Sequence, residues 1–148
     1  MSKTLSFRGQ LPIGIQERIK LSTSNGKTGY KITKFQILSS TPGVGDVEFI
    51  AQIYKTNSLS NINTTPDFSN GSLLAVVYYQ DDSSISHSSS TDIIFDKVMF
   101  NQDIFVNVSD ANGGTKPCNY YIELEAMAIT DIQSTELTLK ALRNIASR

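Results

Sequence analysis

The chain contains little of what metal sites, disulfide frameworks and nucleophilic catalysis require. Its 148 residues include one Cys, one His and no Trp. A zinc site needs three or four Cys, His or carboxylate ligands in close array, and a disulfide within one chain needs two cysteines. The composition therefore excludes an internal disulfide, and it gives no reason to expect a metal or another cofactor.

Positive charge and long apolar runs are also scarce. The chain has 13 basic and 14 acidic residues, with no basic cluster, whereas binding to nucleic-acid phosphates needs a surplus of Lys and Arg. The longest apolar run, Leu73–Tyr79, is far shorter than the ~20 residues of a membrane-spanning helix. Met1–Gly9 alternates polar and apolar residues and lacks the apolar core of a secretory signal. We therefore expect neither nucleic acid nor a membrane as a partner, and folding in a cytosol.

Neutral polar residues are what the chain has in abundance. Ser, Thr and Asn make up 42 residues, while charged residues account for 18%. Such a composition favours turns and strands over long solvated helices. The length suits one domain covering residues 1–148, large enough to bury one core.

Alternation of apolar and polar residues is the dominant pattern. Along Tyr30–Leu38 the apolar residues change face near Thr33 and Lys34, which predicts a β-bulge there. Six or more strands in a chain of this length predict an all-β sandwich or barrel, and we favour an antiparallel β-sandwich of the jelly-roll type. Besides an N-terminal strand at Lys3–Arg8, the predicted strands are Tyr30–Leu38, Val47–Tyr54, Leu73–Tyr79, Ile93–Phe95, Asp103–Val108 and Tyr120–Ile129.

Glycine-containing turns separate these strands, and each is predicted to close a strand pair. They are Asn25-Gly26, Thr41-Pro42-Gly43, Asn70-Gly71 and Asn112-Gly113-Gly114. The Ser-rich stretch near residues 80–90 predicts a mobile loop, and Thr56–Ser72 predicts a second long connection. Apolar residues in Ser134–Ile145 fit either a strand or a helix face. We favour a strand followed by a short irregular tail.

Candidate catalytic groups are few, and each has a structural interpretation that we favour. His87 is the only imidazole and lies in the Ser-rich stretch, where a catalytic base would be poorly held. Cys118 has no second Cys or nearby His to lower its pKa, which indicates a structural thiol. Glu123 and Glu125 would share one face of a strand. They could serve acid–base chemistry, but they fit the solvated face opposite Ile122, Leu124 and Ala126.

We interpret the glycine-rich and Asp-rich segments as turns rather than as ligand sites. Asp110–Gly114 and Asp81-Asp82 could offer oxygen ligands to calcium, but neither has the spacing of an EF-hand loop. Pro42-Gly43-Val44-Gly45 lacks the third glycine and the following helix of a dinucleotide site. We therefore predict no catalytic, cofactor-binding or metal-binding residues.

Two tyrosine pairs leave carbohydrate binding open. In Tyr78-Tyr79 and Tyr120-Tyr121, neighbouring rings point to opposite faces of a strand. One ring of each pair is therefore expected in the core, and the other is free to support a contact on the sheet surface.

Four segments carry a resemblance to a group of phage proteins. Met1–Gly9, Gly29–Phe35, Phe100–Val106 and Cys118–Glu125 resemble small virion-associated proteins of marine tailed bacteriophages. The resemblance spans most of the chain and contains no chemical signature motif, so no functional residues are carried over. It implies a structural part of the capsid or tail without enzymatic activity.

The expected function is therefore a capsid decoration or cement protein. It would be assembled in the host bacterial cytoplasm, bind the major capsid protein or other virion proteins, and self-associate as a homo-oligomer, with a trimer favoured. The terminal segments, Lys3–Arg8 and the tail after Leu139, are the candidates for contacts between subunits. The alternatives are a tail or fibre-associated component and a carbohydrate-binding module that uses an exposed Tyr or the Thr56–Ser72 loop. A hydrolase would need Glu123 and Glu125 in a cleft.

Overall fold

Two antiparallel β-sheets pack face to face in the computed structural model, which describes residues 2–23, 26–43, 46–81, 89–95 and 98–146. The prediction of an all-β sandwich is confirmed. The strands are β1 (Ser2–Leu11), β2 (Gln16–Ile19), β3 (Thr28–Ser39), β4 (Val47–Tyr54), β5 (Leu73–Asp81), β6 (Ser89–Ile94), β7 (Ile104–Asp110) and β8 (Cys118–Ala128). A short 3₁₀ helix covers Leu59–Asn61, and the helix α1 covers Asp131–Ala146.

The two sheets differ in size. The small sheet has the strand order β1-β8-β3, and the large sheet has the order β2-β7-β4-β5-β6. A jelly roll distributes eight strands over two sheets through two Greek keys. Here β6 pairs with its sequence neighbour β5 rather than with β3, so β3 forms an edge of the small sheet. The jelly-roll form of the sandwich stays a prediction.

The hydrophobic core lies between the inner faces of the two sheets, as the alternation of apolar and polar residues along the strands predicts. In β8, Ile122 and Leu124 are fully buried, whereas Glu123 and Glu125 lie on the opposite face. The predicted bulge is also confirmed, because the β3–β8 register shifts between Ile32 and Lys34. Other large side chains with almost no exposure are Leu11, Phe35, Phe49, Ile53, Leu74 and Ile104.

The turns connect the sandwich differently from the prediction. Gly26, Gly43 and Gly113 have φ angles of 65°, 79° and 76°, a region that L side chains rarely adopt. They lie in the connections β2–β3, β3–β4 and β7–β8, each of which joins one sheet to the other. The prediction that these turns close strand pairs is therefore wrong. Of the four predicted turns, only Asn70-Gly71 lies in a connection between two paired strands, β4 and β5.

The C-terminal segment is a helix, so the predicted strand is wrong there. Thr130 Oγ1 accepts the N–H of Gln133 (3.2 Å), and Gln133 Oε1 accepts the N–H of Thr130 (3.0 Å). This reciprocal capping satisfies backbone donors that a helix start leaves unpaired. Leu137 is half-buried and Leu139 is exposed, whereas a strand would place both on one face. Asn101 Nδ2 holds the helix to the sandwich through Thr138 Oγ1 (3.2 Å).

The connection between β5 and β6 is shorter than the predicted Ser-rich loop near residues 80–90. Strand β5 continues to Asp81 and β6 begins at Ser89, so both ends of the stretch near 80–90 belong to a hairpin. Residues 82–88 lie outside the described residues, and the predicted mobility of the loop is not tested. Among the described residues, no helix is long and apolar enough to cross a membrane.

Candidate functional site

Cys118 is at the start of β8 with its thiol enclosed by protein. The residue is fully buried, and its Sγ lies 3.8 Å from the carbonyl oxygen of Leu38. Burial raises the pKa of the thiol to about 12, because the thiolate would lose its hydration. The structure therefore places Cys118 in the core as a neutral thiol.

Glu123 and Glu125 lie on the outer face of the small sheet, on its central strand. Glu123 Oε2 accepts a hydrogen bond from the Tyr121 hydroxyl (2.8 Å) and is 3.5 Å from Lys34 Nζ. Glu125 stands opposite Lys31 in the β3–β8 register. Neither carboxylate lines the groove between β3 and β6. The pair fits the solvated face of a half-buried strand, with one carboxylate already engaged by neighbours.

The tyrosine pairs divide between core and surface as predicted. Tyr79 and Tyr120 are each 4% exposed, whereas Tyr78 and Tyr121 are half-buried on the outer faces of their sheets. The Tyr78 hydroxyl donates to Glu48 Oε1 (2.7 Å). Burial and this carboxylate raise the pKa of Tyr78 to about 12. The Tyr121 hydroxyl is held in the same way by Glu123, which raises its pKa.

The acidic turns use their carboxylates to hold backbone groups. Asp110 Oδ1 accepts the N–H of Glu48 (3.2 Å) and of Asn112 (2.9 Å), and Asp81 Oδ2 accepts the N–H of Gly43 (2.6 Å). These contacts agree with the interpretation of both segments as turn-forming. No group of three His, Cys, Asp or Glu that could hold a metal ion occurs in the part of the chain that the structure describes.

Some candidates lie outside the described residues, wholly or in part. His87 and Asp82 belong to the undescribed stretch 82–88, so their surroundings are not tested. Of the Gly-x-Gly segment, Gly43 lies in the β3–β4 turn and residues 44 and 45 are outside the described range.

The long connection Thr56–Ser72 covers the outer face of the large sheet. Two fully buried amides beneath it donate to its backbone: Gln52 Nε2 to the carbonyl of Asn63 (2.9 Å), and Asn107 Nδ2 to that of Asn61 (3.1 Å). The loop therefore uses polar groups to hold itself to the sheet. Leu59 and Phe68 remain exposed on it.

A groove lies at one open side of the sandwich. It encloses about 330 Å³ and lies between β3, the edge of the small sheet, and β6, the edge of the large sheet. This volume is at the lower end of the range for small-ligand sites. The groove is lined by residues 35–38 of β3, residues 119–121 of β8, Val77, Ser90 and Asp92.

The backbone of β3 also contributes to this groove. Tyr30 exchanges two hydrogen bonds with Phe100 on the side away from β8, at 2.7 and 3.0 Å. Tyr30 pairs with Ala126 of β8, whereas Phe35 pairs with Ile122 and Ile37 pairs with Tyr120. The three β8 residues are separated by even numbers of positions, so their backbone N–H and C=O groups point in the same direction. Alternation along an antiparallel ladder then points the N–H and C=O groups of Phe35 and Ile37 away from β8. This edge supplies donors and acceptors beside the lining side chains.

The polar lining is mostly neutral. Asp92 is the one charged residue among the described lining residues, accompanied by Gln36, Ser90 and Asn119. Asn119 Oδ1 accepts a hydrogen bond from Gln10 Nε2 (3.1 Å). Tyr121 and the half-exposed Leu38 add apolar surface. The arrangement can bind a small polar ligand by hydrogen bonds and by packing against a ring.

Sequence reasoning missed these groove residues except Tyr121. Gln36, Asp92 and Asn119 come from three strands that are distant in the chain, and none belongs to a motif. One signal was present: Leu38 follows Ile37 and so places an apolar residue on the outer face of β3. An exposed apolar residue beside a strand edge indicates a contact surface.

No family model matches the chain, and no curated protein matches it.

Proposed function

We propose that the protein is a non-enzymatic structural component of a bacteriophage particle, a decoration or cement protein that binds the outside of the capsid. The proposal combines the resemblance to small virion proteins of marine tailed phages with one structural observation. The small sheet, β1-β8-β3, has two edge strands; β1 is open along its length, and β3 is bridged only at Tyr30, by Phe100, among the described residues. Open strand edges add strands from neighbouring chains, which gives a decoration protein its means of attachment.

The edge at β1 supports self-association. Strand β1 pairs with β8 from Ser2 to Leu11, which occupies one side of the strand and leaves the other side open. The backbone N–H and C=O groups of Ala126 point towards β1, where Ala126 pairs with Lys3. The backbone groups of Lys3 and of every second residue after it therefore form hydrogen bonds with β8. Thr4, Ser6 and Arg8 therefore point their N–H and C=O groups to the open edge. A second copy that pairs there would extend the small sheet and protect this edge.

The helix α1 is the second candidate for contacts between subunits. Ile132 is 73% exposed and Leu139 is 52% exposed, although α1 is held to the sandwich by its other side. The two residues are seven positions apart, so they lie on the same side of the helix. Apolar side chains in this position suit burial against a neighbouring subunit.

The experiment that tests the proposal is quantitative peptide mass spectrometry on purified phage particles. We expect a copy number comparable to that of the major capsid protein, because a decoration protein covers the whole shell. A small fraction of that number would instead support the alternative of a tail or fibre-associated component. Absence from intact particles would overturn the virion proposal.

Self-association through β1 can be tested separately with Ser6→Pro. Proline removes an N–H that points to the open edge, so the β1–β8 ladder keeps its hydrogen bonds. We expect the wild-type chain to sediment as a trimer, three times its mass of 16.3 kDa, and Ser6→Pro to sediment as a monomer. The matched control is Ser6→Val, which keeps the N–H and should remain trimeric. Oligomers of unchanged size in Ser6→Pro would exclude this edge as the subunit contact.

A further inference from the structure

The groove between β3 and β6 combines three features that a ligand site needs. It is concave, it offers hydrogen-bonding side chains from three different strands, and it is flanked by an aromatic ring. Gln36 and Asn119 supply amides from one side, and Asp92 supplies a carboxylate from the other. Binding sites for small ligands are built in this way, with a few convergent polar groups on an otherwise apolar surface. The floor here includes the buried side chain of Val77.

The ring of Tyr121 is held in position on the outer face of the small sheet. Its hydroxyl donates to Glu123 Oε2, two residues further along the same strand. The hydroxyl is therefore occupied, and the ring contributes to the groove as a surface for packing. Aromatic surfaces of this kind pack against the C–H faces of pyranose rings, while hydroxyl groups bond to nearby amides and carboxylates.

The charge of the lining restricts the class of ligand. A carboxylate is the only charged group among the described lining residues, and it disfavours phosphate, sulfate and carboxylate groups by repulsion. Amides, a serine hydroxyl and strand-edge backbone groups act as both donors and acceptors. A ligand rich in hydroxyl groups has the same double capacity.

We propose that the groove between β3 and β6 is a binding site for a neutral saccharide. Asp92, Gln36 and Asn119 bond to its hydroxyl groups, and Tyr121 packs against a sugar ring. The site goes beyond the proposed structural role, since attachment to a particle needs only the open β1 edge. It lies on β3, away from the β1 edge, so a decoration protein attached through β1 would leave it accessible.

The test uses the full chain on an array of neutral bacterial O-antigen and capsular oligosaccharides, with phosphorylated and uronic-acid-containing counterparts beside them. The neutral oligosaccharide with the strongest signal is then titrated into the ¹⁵N-labelled protein and followed by NMR. We expect binding to the neutral series. The amide shifts should be confined to β3, β6 and β8 near Gln36, Asp92 and Asn119.

Matched variants separate binding from folding. Asp92→Ala and Tyr121→Ala are each expected to weaken binding about ten-fold, since each removes one direct contact. Thr91→Ala changes the neighbouring exposed residue on the other face of β6. This control should retain wild-type affinity, and all three variants should keep the wild-type melting temperature within a few degrees.

Three results would overturn the saccharide site. The first is an array on which no oligosaccharide binds above background. The second is binding that Asp92→Ala leaves unchanged, and the third is a set of shifts confined to the Thr56–Ser72 loop. Preference for the phosphorylated or acidic series would equally exclude a neutral saccharide as the ligand. None of these results depends on the copy number of the protein in particles.

Discussion

Replacing Asp103 with alanine is expected to lower the free energy of unfolding by about 3 kcal/mol. One buried carboxylate here holds the chain that follows β2 against the start of β7. Its Oδ1 accepts the N–H groups of Leu21 (2.7 Å) and Ser22 (2.9 Å), and its Oδ2 accepts Arg18 Nε–H (2.7 Å). Alanine would leave the buried N–H of Leu21 without a hydrogen-bond acceptor. A buried donor of this kind has lost its hydrogen bonds to water without replacing them, which destabilises the folded state. Urea denaturation at pH 7 measures the loss.

Arg18→Ala is the matched control for this effect. The Arg18 side chain is 59% exposed, and an ion pair with an exposed partner contributes about 1 kcal/mol or less. Asp103→Asn should fall between the two variants, because its amide oxygen can still accept the backbone N–H groups. Equal losses for Asp103→Ala and Arg18→Ala would contradict the importance of the backbone contacts.

The same carboxylate makes stability depend on pH in the acid range. Burial by itself would raise the pKa of Asp103. The N–H groups of Ser22 and Leu21 and the Arg18 guanidinium outweigh burial, so its pKa lies below the usual value. A lowered pKa stabilises the fold above the unfolded-state pKa, about 4, and this contribution disappears as the pH falls through the folded-state pKa. The difference between wild type and Asp103→Ala should therefore be constant above about pH 5 and shrink below about pH 4.

Most strands could be predicted from the sequence because alternation is a local property. Burial on one face of a strand requires apolar residues at every second position, and β8 shows this from Tyr120 to Ala126. The bulge in β3 was visible for the same reason, since one extra residue shifts the apolar positions to the other phase. The placement of Tyr79 and Tyr120 in the core follows from the same alternation.

What could not be predicted depends on contacts between distant parts of the chain. Strand β2 has only four residues, Gln16–Ile19, and only Ile19 is buried, so it shows no periodicity. The placement of β3, an edge of the small sheet, beside β6, an edge of the large sheet, creates the groove and is set by how the two sheets pack. Asp103 was assigned to the start of a strand, but its three partners lie 81 to 85 residues earlier.

The C-terminal helix is a different kind of error, because a local signal was available. Thr130 and Gln133 have the spacing of a capping box, with the hydroxyl residue three positions before Gln. The strand prediction rested on apolar residues at alternate positions, such as Leu137 and Leu139, and did not take that signal into account. The cap contacts show which pattern determines the structure. The capping-box spacing was therefore a better indicator of the structure here than a short run of alternating apolar and polar residues.

Replacing Gly9 with valine is expected to lower the free energy of unfolding by about 2 kcal/mol. Gly9 of β1 stands opposite Tyr120 of β8, and the tyrosine ring covers it. A Cβ at position 9 would lie 2.9 Å from Tyr120 Cε2 and 3.1 Å from Cζ, closer than side chains pack. The ring cannot easily move, because it is 4% exposed and its hydroxyl donates to Glu17 Oε1 (3.0 Å) on β2 of the other sheet. Valine would therefore strain a contact that joins the two sheets.

A double-mutant cycle with Tyr120→Ala tests whether the ring causes this cost. Tyr120→Ala is itself expected to destabilise, because it removes a buried ring and the hydrogen bond to Glu17. In that background the space beside position 9 is empty, and Gly9→Val should be neutral or stabilising, since valine favours a strand more than glycine does. The two replacements should therefore be coupled, as measured by urea denaturation of all four proteins. A Gly9→Val cost that is the same in both backgrounds would mean that the glycine is needed for the backbone of β1 rather than for the approach of Tyr120.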